Sequence, residues 1–465
     1  MRLRPSCDVV VVGGGTAGAI AGIAAARTGA RTLLIEQYGS LGGVLTLGMS
    51  LKGVNDGEGR KALGGIGEEL LIRARQMNGA TEVVEHPRHG SILGQDPEAL
   101  KLVLIEMARE ARLELLLHSF LVDAMVSNGT VQAITVANKA GLEVIPARCF
   151  VDCTGDADLA ARAGAAFVRG RETDGRMQPV SAIFRVGGVV LDRTWQYLAE
   201  NPEDFEIQKG DPLGDFTVDD FRNKPGVGVA GFRSLIRKAR IAGDYTIPRD
   251  DMGFNPFPGR NEVTINITRV HDVDGTNPDD LTHAEIESQL QILEALRFLR
   301  KYLPGFEHCY VVSSPFQVGI RETRHVQGDY VLTAEDVMIG RDFDDQVARG
   351  AYPLDIHDVH RAAPGHKSTV DGGGTDLSKI NRSYGIPLRS LLAEGIANMT
   401  VAGRSLSATH AAAASARGQP VCMATGHAAG SVAALAAARN VAVRDLDIRE
   451  IQGLLAQQNA VLERR

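Results

Sequence analysis

The hydrophobic positions of this chain form short unbroken runs near the N-terminus, and these runs predict buried strands. The run from Val9 to Val12 has no polar residue, as expected of a strand that is covered on both faces of a parallel sheet. An alanine-rich and glycine-rich stretch follows and predicts a tightly packed helix, and a second apolar run then ends at Glu36. Strand, helix and strand in this order predict a βαβ unit.

The next segments carry clear start and turn signals. Asp96 and Pro97 suit the N-cap and the first position of a helix over residues 96–111. Three apolar runs follow with short connections, and the first two are separated by Asn128-Gly129, a pair suited to a type I′ turn. The pattern predicts a three-stranded meander beside the parallel sheet.

A second long helix is predicted in the middle of the chain. Thr282 and Glu285 have the spacing of a capping box, and the apolar periodicity continues to Leu303. The residues predicted to form its buried face are Ile286, Leu290, Leu293 and Leu299.

The turn after the first strand has the spacing of a dinucleotide-binding fingerprint. Gly13 permits the tight turn, Gly15 lets a diphosphate approach the backbone, and Gly18 lets the helix lie close to the sheet. Glu36 follows at the distance at which a carboxylate takes the hydroxyls of an adenosine ribose. The same glycine spacing at 226–231 follows a charged, proline-containing segment, so we predict a loop there.

Composition places the chain among ordinary globular proteins. Its 465 residues are 44% apolar, which suffices for two or three lobes. With 50 basic and 57 acidic residues and no long run of either sign, we expect no nucleic-acid partner. The uncharged stretch 9–26 has its glycines in fingerprint register, so we expect no membrane span and a cytoplasmic protein. The five cysteines contain no CxxC pair and fit a reducing compartment.

Several motifs together resemble one family. Besides the fingerprint, these are the Leu41-Gly42-Gly43 loop, VDCTGDADLA (151–160), GIRETRHVQGDYVLTAEDV (319–337), YPLDIHD (352–358), and the block 384–436 that contains AGRSLSATH. The chain resembles the bacterial FAD-dependent oxidoreductase family, which has the glutathione-reductase-type FAD fold and belongs to the broad group of fumarate reductase and hydroxybenzoate hydroxylase.

The resemblance implies an α/β fold in which a Rossmann-like FAD/NAD(P)-binding domain, a parallel sheet plus β-meander, contains an inserted mixed α+β substrate domain. The expected limits are 1–165 and 381–465 for the two parts of the FAD domain and 166–380 for the substrate domain. Pro420 starts a run of small residues that predicts a helix, and the positive end of that helix would face the flavin N1 and C2 carbonyl edge.

The resemblance also implies a set of cofactor contacts. They are Gly13, Gly15, Gly18, Glu36, Gly42, Gly43, Val122, Thr154, Gly155, Asp156, Gly403, Arg404, Gln419 and Cys422. Related flavoproteins have Gly-Asp where this chain has Gly403-Arg404, so Arg404 contacts flavin or phosphate in place of an aspartate. No histidine follows the Gly42-Gly43 loop, so we expect FAD to be bound without a covalent link.

The candidate catalytic residues are two arginines and two histidines. Arg321 and Arg324 flank Glu322 and form either an ion-paired surface turn or a clamp for a substrate carboxylate. His357 and His410 are each either a general base or a hydrogen-bonded packing residue.

Three further features carry little weight. His86 and His89 look like loop residues. The DIHDVH segment, 355–360, has plausible metal ligands, but flavin chemistry requires no metal and we expect none. Cys422 is either a redox thiol beside the flavin or simply a small side chain at a helix start.

Together the residues predict an FAD-dependent oxidoreductase, a dehydrogenase or oxidase. A small polar substrate would give hydride to flavin N5 from a carbon next to a hydroxyl or an amine. The electron acceptor would be oxygen, a quinone or a carrier protein, and a homodimer is the default expectation. Two alternatives stay open, namely a flavin-dependent hydroxylase and an electron-relay subunit of a larger complex.

Overall fold

The computed structural model describes residues 2–207, 216–359 and 375–464. The strands, in chain order, are β1 (Arg2–Leu3), β2 (Cys7–Val12), β3 (Thr32–Ile35), β4 (Leu51–Lys52), β5 (Val84–His86), β6 (Gly90–Leu93), β7 (Glu114–Leu116), β8 (Phe120–Ser127), β9 (Thr130–Asn138), β10 (Gly141–Asp152), β11 (Phe167–Arg169), β12 (Phe184–Gly187), β13 (Val229–Gly231), β14 (Met252–Pro256), β15 (Glu262–Asn266), β16 (Tyr310–Ser313), β17 (Arg324–Val326), β18 (Gln346–Gly350), β19 (Leu354–His357), β20 (Thr375–Ser378), β21 (Tyr384–Pro387) and β22 (Met399–Val401).

The α-helices are, in the same order, α1 (Thr16–Arg27), α2 (Gly65–Gln76), α3 (Pro97–Glu110), α4 (Asp158–Arg162), α5 (Leu191–Glu200), α6 (Val218–Arg222), α7 (Arg233–Ile241), α8 (Pro278–Tyr302), α9 (Ala334–Ile339), α10 (His410–Ala416), α11 (Gln419–Arg439) and α12 (Ile448–Gln457).

The central sheet has the order β7-β3-β2-β10-β9-β8, and β1 and β22 also pair with β10. The pairs β3–β7, β2–β3, β10–β2 and β10–β22 are parallel, whereas β8, β9 and β10 form an antiparallel meander. Strand β10 is long enough to serve both parts, with its first half in the meander and its second half in the parallel sheet. The predicted α/β fold with a parallel sheet and a meander is confirmed.

The parallel strands are apolar on both faces because both faces are covered. Val9 and Val11 belong to one hydrophobic core and Val10 and Val12 to another. On the first face α1 packs against α11, and Gly430 allows this approach because a Cβ there would collide with the Ala21 carbonyl oxygen. The last part of the chain therefore completes the domain that its first part begins.

The middle of the chain forms a second layer around its own core. Its sheet has the order β13-β14-β15-β12-β16, all antiparallel, with α5 to α8 around it. The segment 226–231 was predicted to be a loop, but its second half is the edge strand β13. The domain limits near 165 and 380 stay predictions.

Two predicted helices have different outcomes. Helix α3 begins as expected, with the Asp96 side chain accepting a hydrogen bond from the Glu98 N–H. Helix α8 instead begins at Pro278 with Asn277 as its N-cap, and Thr282 bonds back to the Pro278 carbonyl. The prediction of a capping box at Thr282 was wrong because Asn277, five residues earlier and followed by Pro278, supplies a better helix start.

The buried face of α8 was also predicted wrongly. Ile286, Leu290 and Leu293 are 59%, 56% and 52% exposed, and of the predicted set only Leu299 is buried. Two apolar patterns interleave along this helix, and the face that packs inward is Ala284, Ser288, Gln291, Ile292, Ala295, Phe298 and Leu299.

Within the described residues, α11 is the one helix whose length and composition would let it cross a membrane, with a mean hydropathy of 1.4. In the structure, 83% of this apolar window is buried inside the protein. Its apolar character is accounted for by packing against α1 and the sheet.

Candidate functional site

The first βα turn forms a narrow cradle at the carboxyl edge of the central sheet. Gly13 has a φ of 94°, which favours glycine, and it connects β2 to α1. A Cβ on Gly18 would collide with the Gly13 carbonyl oxygen, so glycine is needed for the close approach of helix and turn. At Gly15, by contrast, no atom lies within 4 Å of the position that a Cβ would take.

The N-terminus of α1 has the features of an anion site. Its N-cap, Gly15, has no side-chain cap, and the first turn has no acidic residue. Gly43 closes the cradle from the next loop, where a Cβ would lie 2.9 Å from the Gly15 Cα. Gly42 supports this loop, because its N–H bonds to the Gly14 carbonyl at 2.8 Å. Uncapped N–H groups and the positive end of the helix dipole suit the diphosphate of a dinucleotide.

Glu36 lies at the end of β3 beside this cradle and is buried. Its carboxylate accepts hydrogen bonds from the N–H groups of Gly14, at 2.6 Å, and Tyr38, at 2.8 Å. Burial raises its pKa. The neighbouring Gln37 and Tyr38 line the cavity that opens from the cradle. Through these two hydrogen bonds Glu36 holds the fingerprint turn in place. Its contact with the ribose stays a prediction.

Val122, on β8, is placed differently from the other predicted contacts. Its side chain is 40% exposed, it does not line the cavity, and its carbonyl accepts a hydrogen bond from Arg162. The contact between Val122 and the cofactor stays a prediction.

The end of β10 delivers the next predicted contacts. Thr154, Gly155 and Asp156 all line the cavity. Asp156 forms an ion pair with Arg404, whose Nη2 lies 2.9 Å from Oδ1, and Asp156 also accepts a hydrogen bond from Thr323. Burial raises the Asp156 pKa, and Arg404 opposes this effect. Arg404 thus bridges the two parts of the cofactor domain on the cavity wall.

Helix α11 also begins at the cavity wall. Gly403 and Gln419 line the wall there, and the Gln419 amide donates a hydrogen bond to the Val44 carbonyl at 3.2 Å. Gly418, the N-cap, has no side-chain cap. The Cys422 thiol also faces the cavity, but burial raises its pKa to about 12. A thiol that stays protonated is a poor redox nucleophile, so the packing interpretation of Cys422 is the better one.

The cradle continues into a single cavity of about 1190 Å³. That volume exceeds the usual range for a site that holds one small ligand, so the cavity has room for both a dinucleotide and a substrate. Its far part is lined by the five-stranded sheet, the small sheet β4-β6-β5, and the segment around β19. We call this far part the substrate chamber.

Two of the four predicted catalytic residues lie on the chamber wall. Arg321 is 9% exposed, and its guanidinium donates a hydrogen bond to the Pro179 carbonyl. His357 is buried, with Nε2 3.4 Å from Oδ1 of Asp355 and Nδ1 3.3 Å from Nη2 of Arg269. Burial and the neighbouring Arg321 lower the His357 pKa well below its usual value. His357 is therefore a neutral imidazole.

The other two predicted catalytic residues lie away from the cavity. Arg324 forms an ion pair with Asp158 at 2.9 Å and stacks over the Phe167 ring. His410 is buried, and its Nδ1 lies 2.8 Å from both carboxylate oxygens of Glu322. For both residues the structure supports the structural interpretation.

The DIHDVH segment offers no metal site in the described part of the chain. Asp355 and His357 line the cavity, whereas His360 lies outside the described residues. Among the residues that the structure describes, no group of three His, Cys, Asp or Glu side chains has the arrangement to hold a metal ion.

Several residues on the chamber wall were not predicted. The set is Lys52, His86, His89, Arg249, Arg269, Tyr352, Asp355 and Arg417. His89 lies in the turn between β5 and β6, as predicted, whereas His86 is buried at the end of β5, and the two rings stack at 4.7 Å. The segment 84–93 shows no regular alternation of apolar and polar residues, and nothing in the sequence near Arg417 marks it as a site residue.

Tyr352 and Asp355 connect the chamber to the flavin end. The Tyr352 hydroxyl donates a hydrogen bond to Asp355 at 2.6 Å, and its ring stacks on His89 at 6.2 Å. A Cβ on Gly418 would lie 2.8 Å from the Tyr352 Cβ, so the tyrosine packs against the start of α11. The Asp355 and His357 pair is thus held next to the start of α11.

Comparison with known families gives a match along nearly the whole chain. The family described as "FAD dependent oxidoreductase" matches residues 8–455. A comparison with curated proteins found no match.

Solved structures with a similar fold share little sequence with this chain. A geranylgeranyl bacteriochlorophyll reductase-like protein from Thermoplasma acidophilum is 13% identical with a TM-score of 0.46, and the alignment covers 98% of this chain and 85% of that one. A p-nitrophenol 4-monooxygenase from Pseudomonas putida is 10% identical with a TM-score of 0.47, covering 98% and 84%. A flavin-dependent brominase is 12% identical with a TM-score of 0.44, covering 98% and 84%. Likeness at this level bears on neither substrate nor reaction.

Proposed function

Because this chain belongs to the FAD-dependent oxidoreductase family, we propose that it removes hydride from a small polar substrate at a carbon that bears a hydroxyl or an amine. The observation that carries this proposal is the Asp355 and His357 pair on the chamber wall, in a cavity continuous with the cofactor cradle. Bound FAD supplies the two-electron acceptor, with N5 of the flavin as the hydride-accepting atom.

The residues that would hold FAD suit its diphosphate and its flavin ring. The uncapped start of α1 suits the diphosphate, and the open space at Gly15 is what a close approach to the backbone requires. The uncapped start of α11, at Gly418, would supply a positive dipole end that stabilises negative charge on the flavin.

His357 is proposed to take the proton of the substrate hydroxyl or amine. Asp355 accepts only, so the proton of the neutral imidazole lies on Nε2, and Arg269 donates only, which agrees with an unprotonated Nδ1. The substrate would replace the long Arg269 contact at Nδ1. A carboxylate that orients an imidazole and stabilises it once protonated is the arrangement that general-base catalysis needs.

Arg321 is proposed to bind an anionic group of the substrate. It contacts the neutral Pro179 carbonyl and has no carboxylate partner among the described residues. A planar guanidinium holds a carboxylate through two parallel hydrogen bonds, and this fixes the neighbouring carbon in one orientation. His410 and Arg324 have no part in the proposal, since neither lines the cavity.

The proposal is tested by mixing the yellow holoprotein, without oxygen, with hydroxy acids, sugars, polyols and amines while the flavin absorbance is recorded. We expect at least one hydroxyl or amine compound to bleach the flavin. If every such compound leaves the flavin oxidised, the proposal fails. Bleaching by NAD(P)H only in the presence of an aromatic compound would favour a hydroxylase, and the need for a second protein would favour an electron relay.

The role of His357 is tested by substitution and by pH. We expect His357→Gln to slow flavin reduction about 100-fold to 10,000-fold, whereas His283→Gln, at an exposed position on α8, should leave the rate unchanged. Because the His357 pKa is lowered, the unprotonated base persists to more acidic pH. The acid limb of the reduction rate should therefore lie below pH 6.5, and a limb above that value would contradict the assignment.

A further inference from the structure

Several basic side chains stand on the chamber wall, and one of them, Arg269, contacts Nδ1 of His357. Four others, namely Lys52, Arg249, Arg321 and Arg417, are called the basic cluster below. The four come from different elements, namely β4, the loop before β14, the loop before β17 and the end of α10. Of these four residues, the sequence marks only Arg321 as a candidate site residue, because the other three are brought together only by the fold.

Two members of the basic cluster have carboxylate partners. Arg249 Nε lies 3.0 Å from Oδ1 of Asp251, and Arg417 Nη2 lies 3.3 Å from Oδ2 of Asp355. These carboxylates balance Arg249 and Arg417.

The other two members have no such partner in the part of the chain that the structure describes. Arg321 donates to the Pro179 carbonyl but forms no ion pair, and Lys52 forms neither a hydrogen bond nor an ion pair. Glu206 also faces this wall, but its carboxylate lies 3.5 Å from Nε of Arg88. Lys52 and Arg321 are therefore left without an ion pair among the described residues, and the carboxylates that act on them, Asp355 and Glu206, are already paired with Arg417 and Arg88.

Uncompensated charge in a buried site has a free-energy cost that a ligand can remove. Burial lowers the pKa of both Lys52 and Arg321, and Arg249 and Arg417 lower both further through repulsion. Asp355 opposes this effect on both groups. A ligand that brings further negative charge into the chamber would compensate the remaining positive charge of Lys52 and Arg321.

We propose that the substrate carries two separate anionic groups, one bound by Arg321 and the other by Lys52. This inference rests on the proposed function, in which His357 takes the proton of the substrate hydroxyl or amine. Two separate groups suit the two cations, since a guanidinium binds a planar carboxylate with a fork of donors and an ammonium binds as a point charge. A dicarboxylate and a carboxylate with a phosphonate or phosphate ester share this chemistry.

The test is a binding titration of the FAD-loaded protein and needs no turnover. Malonate, succinate and glutarate are compared with acetate, propionate and butyrate, with phosphonoacetate and with inorganic phosphate, by calorimetry. We expect one of the dianions with separated charges to bind at least about tenfold more tightly than every monocarboxylate. Preference for phosphonoacetate or for a dicarboxylate then identifies the second group.

Substitutions assign the two groups to their cations. Arg321→Met and Lys52→Met should each bring the affinity for the preferred dianion down to that for a monocarboxylate, about a tenfold loss or more. Arg321→Lys should restore part of the affinity, which shows that a variant with weak binding has not simply unfolded. Lys301→Met, which removes an exposed ammonium paired with Asp244, is the matched control and should bind like the wild type.

Two results would overturn the inference. Monocarboxylates or inorganic phosphate that bind as tightly as the best separated dianion would show that the wall does not recognise two groups. Dianion affinity that survives both Arg321→Met and Lys52→Met would place the site elsewhere. Failure of the proposed function gives a different result. The protein would then bind separated dianions, but no hydroxyl or amine compound would reduce its flavin.

Discussion

Substitution of Gly15 by alanine separates cofactor binding from folding. At this position a methyl group meets no atom within 4 Å and the backbone has a φ of −67°, so alanine is tolerated without strain. The new methyl group would nevertheless stand at the uncapped start of α1, where the FAD diphosphate is expected. The prediction is a protein that folds normally and binds FAD poorly.

The size of the effect follows from the contacts that the methyl group would displace. A hydrogen bond to a charged group contributes about 1.5–3 kcal/mol, and about 1.4 kcal/mol corresponds to a tenfold change in affinity. Displacing one N–H from the diphosphate should thus weaken FAD binding at least about tenfold. The free energy of unfolding of the FAD-free protein should change by no more than about 0.5 kcal/mol.

The assay is titration of FAD-free protein with FAD, followed by quenching of the flavin fluorescence, together with urea unfolding. Two control variants accompany this measurement, one that should leave FAD binding unchanged and one that should destabilise the fold. Gly453→Ala, on α12, also meets no atom within 4 Å and should leave FAD affinity unchanged. Gly18→Ala collides with the Gly13 carbonyl and should destabilise the fold itself, by about 1–3 kcal/mol. Wild-type FAD affinity in Gly15→Ala would refute the placement of the diphosphate at this turn.

Two further predictions concern stability and are measured by urea unfolding. Glu322 is buried against His410, and its pKa is lowered to about 2. A carboxyl group with a lowered pKa stabilises the fold at pH values above its pKa in the unfolded chain, and this stabilisation is lost as the pH falls. Glu322→Gln should therefore cost about 3–3.5 kcal/mol at pH 7, with the difference shrinking from pH 4.5 towards 2. An equal cost at both ends would contradict the pairing. On α8, the exposed Ile286→Ser should change stability by less than about 0.5 kcal/mol whereas the buried Phe298→Ala should cost about 3–5 kcal/mol, and the reverse order would contradict the observed face.

Local sequence signals correctly predicted the elements that are formed by contacts between residues close together in the chain. The fingerprint turn, the Asp96 cap and the meander depend on contacts within a few residues, and the structure has all three. Helix α8 shows the limit of such signals. Its sequence has two apolar stripes, and only the tertiary packing of Phe298 and Leu299 decides which stripe lies inside.

The cofactor end of the site was more predictable than the substrate end. Glycines that allow close approach leave a spacing that can be read directly, as at Gly15 and Gly43. Lys52 and Arg417 leave no such spacing, because they lie far apart in the chain and meet only when the small sheet and the end of α10 border the same cavity. A lone basic residue in a sequence is usually solvated, and no local pattern distinguishes these two.

The two helices whose starts border the cavity lie far apart in the chain. Helix α1 begins at Thr16 and α11 at Gln419. A ribosome adding about 5–20 residues per second would need roughly 20–80 s to make the stretch between them. Throughout that interval the nascent chain has only the first of the two helix starts, so a dinucleotide that contacts both can be held only after α11 has been made.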